Sequence, residues 1–143
     1  MQEIKTDRFG LVKIDENKVI HFPEGLLGFP EHKDYVILEH QPGSPFCWLQ
    51  SRDASDLAFV MANPFQIKSD YLEDLNPVER QFIENHNGGD VFVFALVTIP
   101  PGKAEKATIN LLGPIVIDKD SLRGKQVILA DSGYNHRHPF FVE

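Results

Sequence analysis

Thr108-Ile-Asn-Leu-Leu-Gly-Pro-Ile-Val-Ile117, followed shortly by Gly124-Lys-Gln-Val-Ile-Leu129, decides the fold. Ile109 and Leu111 alternate with Thr108 and Asn110, the period-two pattern of a half-buried strand. Gly113-Pro114 interrupts the run. Proline has no amide proton and a fixed φ, so a regular ladder must break or reach an edge there. Ile115, Val116 and Ile117 resume a β-branched run. Val127, Ile128 and Leu129 read as its partner, after a turn at Asp120-Ser121 and Gly124. The stretch carries no catalytic motif and reads as core strands joined by a loop.

The chain has 143 residues, which predicts one domain spanning 1–143. A domain of that size buries about 68–70% of its unfolded surface and needs no staples. Eleven Phe and one Trp predict an aromatic-rich core. The formal net charge is −7. Six acidic residues and only Arg80 as a base lie between Asp70 and Asp90, so this segment alone carries −5. An acidic surface repels phosphate backbones and argues against direct nucleic-acid binding. It suits a basic protein partner, although an acidic face also serves solubility alone. Cys47 is the only cysteine, so no intramolecular disulfide forms and a reducing compartment fits. Met1-Gln-Glu-Ile-Lys5 lacks an apolar run behind a basic start, which predicts no signal peptide. No stretch approaches the roughly 20 apolar residues of a membrane helix.

Outward from the deciding stretch, β signals dominate. Residues 2–14 read as a hairpin turning at Asp7 to Gly10, and Val19 to Phe22 as a short strand. Pro23-Glu-Gly-Leu-Leu-Gly-Phe-Pro30 cannot be regular, yet Leu26, Leu27 and Phe29 are apolar. Such a loop is expected to plug the open end of a sheet or barrel; exposed, it would be a sticky patch and a partner site. Tyr35–Leu38 reads as a strand, and Phe46–Ser51 with Leu57–Ala62 as a hairpin with a longer loop. Asn76-Pro-Val-Glu79 is a helix start with a capping residue, proline in the first turn and Glu three beyond the cap. Val78, Phe82 and Ile83 give the helix a modest apolar face, and Asn87-Gly88-Gly89 is expected to stop it. Asp90 to Ile99 is the most apolar stretch and reads as a strand buried on both faces. The fold class is therefore mainly β, an antiparallel barrel-like domain with one short helix at about 76–87. The tail from Asp131 is expected to be loose until Pro139-Phe-Phe-Val142, which has the composition to dock.

Chemistry is sparse. His136 and His138 would share one face if they lay on a strand, so two imidazoles would be placed to hold a metal. A third ligand would come from His21, His32, His40, His86 or a carboxylate. The enzyme alternative is therefore a metal-dependent β-barrel using His136 and His138. Against it stand Pro139 and the lack of any nucleophile, phosphate-loop or dinucleotide motif. Cys47 reads as a small core or half-core residue and not a nucleophile, since no basic group flanks it to lower its pKa. Lys119, Arg123 and Lys125 are too few for a nucleic-acid footprint.

Several motifs, taken in order, resemble the FliW family of flagellar assembly factors. Phe9-Gly10 stands near the start, and Phe22-Pro-Glu-Gly-Leu-Leu-Gly-Phe29 is similar to the family's Phe-Pro-x-Gly-x-x-Gly-Phe. Phe46-Cys-Trp-Leu-Gln-Ser51, Leu57-Ala-Phe-Val60 and Asn63-Pro-Phe65 follow. Asn110 to Asp118, Gly124-Lys-Gln126 and His138-Pro139 complete the series. Leu27 stands where many members carry proline, and residues 140–143 run past their usual end. The resemblance implies a cytoplasmic, barrel-like protein without enzymatic activity, cofactor or metal. It implies two protein partners: the translational regulator CsrA, a small dimeric RNA-binding protein, and flagellin. Flagellin would occupy the protein until exported; the freed protein would then capture CsrA away from its RNA surface and relieve repression of flagellin translation. The chain is expected to be monomeric when free, with no nucleic acid or membrane as direct partner. Asp70, Tyr71, Leu72, Glu73 and Asp74 combine carboxylates with an aromatic and a leucine, a composition fit for an interface with a basic rim and equally for a solvated connection before the helix. Leu26, Leu27 and Phe65 are the further partner-binding candidates.

Overall fold

The computed structural model describes residues 2–39, 41–83 and 90–141, with backbone alone at Phe82. Strands run β1 Gln2–Thr6, β2 Gly10–Ile14, β3 Ile20–His21, β4 Asp34–Glu39, β5 Phe46–Ser51 and β6 Ala58–Ala62. After helix α1 Pro77–Ile83 come β7 Val91–Thr98, β8 Thr108–Ile109, β9 Ile115–Asp118, β10 Gly124–Gln126 and β11 His138–Pro139. The fold is mainly β with one short helix, as the alternation and the punctuating glycines and prolines predict.

β1 and β2 form a hairpin of their own. The main sheet is ordered β10-β9-β7-β6-β5-β4-β3, with β8 on the far end of β7 and β11 beside β8. Every ladder in it is antiparallel. The sheet curls until its ends meet: the His21 amide donates to the Leu122 carbonyl at 3.0 Å, next to a single bridge from His21 to Arg123. The shape is barrel-like, but among the described residues its seam is one bridge wide and the ladder does not close.

Strand alternation sorts the apolar side chains into an interior and two outer patches. The interior packs Ile20, Phe22, Tyr35, Leu49, Met61 and Ile117. One outer patch sets Ala95, Val97, Ile109 and Leu111 beneath Tyr71, Leu72, Leu75 and Phe140. The other lays the β1–β2 hairpin over β4 through Ile4, Ile14 and Val36. The expectation of a β7 buried on both faces holds for one face only: Ala95 and Val97 are buried on it, while on the other Phe94 and Leu96 are half-buried and Phe92 is exposed. The tail docks: the Phe140 amide donates to Ala107 and its ring lies 5.0 Å from Phe46.

Two local expectations need correction. Asn76 caps α1 as read, accepting from the Glu79 amide at 2.8 Å. The capping box is only half made, because Glu79 is buried and its carboxylate accepts from the Asp131 amide at 3.2 Å. The expected stop at Asn87-Gly88-Gly89 lies outside the described residues. The partner of Ile115–Ile117 is Gly124–Gln126, not Val127–Leu129. Pro114 explains the displacement, since it can accept but not donate. Val127 gives its amide to the Pro114 carbonyl at 3.0 Å and Leu129 to Leu112 at 2.9 Å, so pairing continues irregularly. Gly124 is fixed by packing: a Cβ there would lie 2.5 Å from the Phe22 ring.

Candidate partner surfaces

The acidic segment is held by the outer core and shows its charges to solvent. Tyr71 is 1% exposed and its hydroxyl donates to the Leu111 carbonyl. Burial pushes its pKa up, so it stays a neutral donor. Leu72 is buried in the left-handed region, at φ 72°, which a branched side chain seldom adopts. The Tyr134 hydroxyl holds it there by accepting the Leu72 amide at 2.8 Å. With Tyr71 and Leu72 turned inward, the segment offers a partner Asp70, Glu73 and Asp74. Asp70 lies 3.1 Å from Lys68, whose hydrogen bond holds the carboxyl below and the ammonium above their ordinary values. Arg80 donates to the Glu73 carbonyl at 2.9 Å, so it too tempers the local charge. Glu84, counted in the −5, lies outside the described residues. Phe65 is partly exposed beside this segment, its ring 5.7 Å from Tyr71.

Leu26 and Leu27 belong elsewhere, since Leu26 joins the interior and the sheet separates it from Tyr71 and Leu72. The plug reading holds for Leu26, which is buried; Phe29 is 38% exposed, although its ring meets Phe59 edge-on at 5.1 Å. Leu27 is 61% exposed and is the sticky residue of the loop. Gly25 permits the tight return: its φ is 66°, and a Cβ would lie 2.5 Å from the Phe29 carbonyl oxygen. Gln126 clamps the loop, accepting from the Leu27 amide at 3.0 Å and donating to Gly113 at 3.1 Å. A groove of about 680 Å³ runs between this loop and β10, lined by Leu27, Ile83, Val91, Val116, Arg123 and Lys125.

The histidine pair does not form the predicted arrangement. His136 sits exposed in a turn, and β11 begins only at His138. Asn135 shapes that turn by accepting from the Arg137 amide at 2.8 Å, so the same-face premise fails. Among the described residues no three His, Cys, Asp or Glu side chains are grouped to hold a metal. His40 and His86 lie outside them. His21 instead meets Asp34 at 2.7 Å, and Arg52 takes the other carboxylate oxygen at 2.7 Å. Sequence reading missed this cluster because the β3–β4 register that creates it pairs residues 13 apart.

Cys47 is half-buried, and burial pushes its thiol up to about 11. Against a free thiol near 8.5, the thiolate at pH 8 is scarcer by roughly two orders of magnitude. Native protein is expected to react with Ellman's reagent on the order of 100-fold more slowly than protein unfolded in guanidinium. Equal rates would show that Cys47 is not shielded. Among the described residues no helix is long and apolar enough to cross a membrane.

Comparison with known proteins follows the same contour. The family model described as "FliW protein" matches residues 3–140. The chain is 37% identical over 139 residues to the flagellar assembly factor FliW of Natranaerobius thermophilus, covering 97% of this chain and 92% of that one. It is 41% identical over 136 residues to the flagellar assembly factor FliW of Bacillus licheniformis, covering 95% and 94%. A crystal structure of the flagellar assembly factor FliW superposes with a TM-score of 0.82 at 33% identity, covering 99% of this chain and 98% of that one.

Proposed function

The chain belongs to the FliW family of flagellar assembly factors, and on that premise we propose that it works by binding proteins rather than by catalysis. It captures a CsrA-type translational regulator in the cytoplasm and so relieves repression of flagellin translation. Flagellin is the competing partner, which gives the protein a chaperone-like role. No nucleic acid or membrane takes part directly, and the free protein is a monomer. The observation that carries this reading is the full-length match to a family of assembly factors, which by name is not an enzyme family. The surface supports it: Asp70, Glu73 and Asp74 stand clear of a rigid base, with Phe65 beside them, a face suited to a basic partner.

The experiment is a binding titration with purified CsrA and a fluorescent RNA hairpin. The chain should displace RNA stoichiometrically; RNA binding unaffected by excess chain would overturn the proposal. The double reversal Glu73→Lys/Asp74→Lys tests the surface. Rim charges steer encounter more than they hold a complex, and salt screens them beyond about 8 Å at physiological ionic strength. Association with CsrA is expected to slow by roughly tenfold at low salt, with a smaller change in dissociation. An unchanged association rate would remove this segment from the contact surface.

A further inference from the structure

Leu26 of the 23–30 loop is buried in the interior of the curled sheet; away from that loop, β4 and the start of β7 border a concavity. β4 directs Tyr35 and Ile37 to the same, interior side, and Ile37 continues a row through Leu49 and Phe59. Phe92 pairs with Ile117 and faces the same interior. Yet Ile37 is 36% and Phe92 43% exposed, where an interior row should be dry. With Ile20, Ile117 and Leu122 they line a concavity of about 500 Å³. Its floor is sealed, since Ile20 and Ile117 are buried, so it takes a side chain and not a long acyl tail.

The rim is basic on a chain whose net charge is −7. Lys13 and Lys18 border the concavity, and the Lys119 ammonium lies 4.8 Å from the centre of the Phe92 ring. None of these lysines has an ion-pair partner among the described residues. Asp15, the rim's carboxylate, accepts from the Asn17 amide and caps a 3-10 turn. An apolar cup beside unpaired ammonium groups is complementary to an apolar anchor flanked by negative charge.

We propose that this mouth docks a short segment of a partner protein bearing a large apolar side chain between carboxylates. The apolar side chain enters between Ile37 and Phe92, and the carboxylates meet Lys13, Lys18 and Lys119. Neither Phe65 nor Asp70 to Asp74 takes part, so the site is independent of the acidic face invoked above.

The test uses the full chain, labelled with ¹⁵N, and the blocked peptide Glu-Asp-Phe-Leu-Asp-Glu as probe. Saturable shifts are expected at the amides of Ile37, Phe92 and Lys119, with a dissociation constant of roughly 100 µM. Replacing Phe-Leu by Ala-Ala, or the carboxylates by their amides, should each weaken binding about tenfold or more. Ile37→Asp and the pair Lys13→Glu/Lys18→Glu should do the same. Shift mapping on the unaltered protein keeps the test valid if a variant misfolds. Shifts confined to Asp70–Asp74 or to the 23–30 loop would overturn the proposal. So would failure to saturate, or decanoate perturbing the mouth where the peptide does not.

Discussion

Phe22→Ala is expected to lower the free energy of unfolding by about 3–5 kcal/mol, read as a fall in the urea midpoint at constant slope. Phe22 has no exposed surface, and its ring meets Tyr35 edge-on at 5.4 Å. The backbone around it is equally committed: its amide donates to Lys33 at 2.7 Å and its carbonyl accepts from Gly25 at 2.9 Å. Truncation would open a cavity beneath the one-bridge seam, where rigid strands limit collapse. Domains are stable by only about 5–15 kcal/mol, so the variant should sit near the edge of folding. Gly124→Ala approaches the same ring from the opposite strand and is expected to cost about 1–3 kcal/mol by overpacking. Combined, the two should be markedly less destabilising than their sum, because the alanine methyl enters the space the ring vacates. A loss under about 1 kcal/mol for Phe22→Ala, or strict additivity in the double variant, would show that the seam is not locked this way.

The same contact marks what the sequence made legible. Short apolar runs at Tyr35–Leu38, Phe46–Ser51 and Leu57–Ala62, bounded by polar and turn residues, were enough to place strands, because each run is too short for a helix and its spacing from the next suits a hairpin. Asn76-Pro77 announced α1 because capping is local chemistry. Gly124 is different: nothing in its neighbours says that a phenylalanine about a hundred residues earlier fills its missing side chain. Gln126 is the same case, since its two hydrogen bonds reach the Leu27 amide and the Gly113 carbonyl. Only a resemblance to known proteins flagged Gly124-Lys-Gln126; its physical reason appears once β10 is seated beside the plug. The candidate surface was half legible. Composition singled out 70–74 as charged with apolar insertions, but Tyr71 and Leu72 are structural, and only Asp70, Glu73 and Asp74 are offered outward. Telling them apart required the left-handed Leu72 and the Tyr134 hydroxyl that holds it. Ile37 was hidden for the opposite reason. Its pattern is that of a core residue, and its exposure comes from lying in the concavity beside Phe92 and not under the 23–30 loop.

Adding flagellin to a preformed complex of this chain with CsrA is expected to release CsrA and restore RNA binding, as the proposed switch requires. Free energy does not demand much: a tenfold preference for one partner is only about 1.4 kcal/mol. Area alone does not force the competition. Two separate patches of about 800 Å² each would take less than a fifth of the 8854 Å² accessible surface, so both partners would fit side by side. Exclusion therefore has to come from overlap or from coupling between sites, and coupling must be reciprocal. The two are separable by the charge reversal. If flagellin overlaps the acidic face, Glu73→Lys/Asp74→Lys weakens both partners; if it docks elsewhere and acts by coupling, the reversal weakens CsrA alone while flagellin still expels what remains. The release should be followed by RNA fluorescence and by gel filtration at fixed salt, because the rim term is salt-dependent. A stable complex of all three proteins, with each affinity unchanged by the other partner, would refute the switch for this chain even with both binary interactions intact.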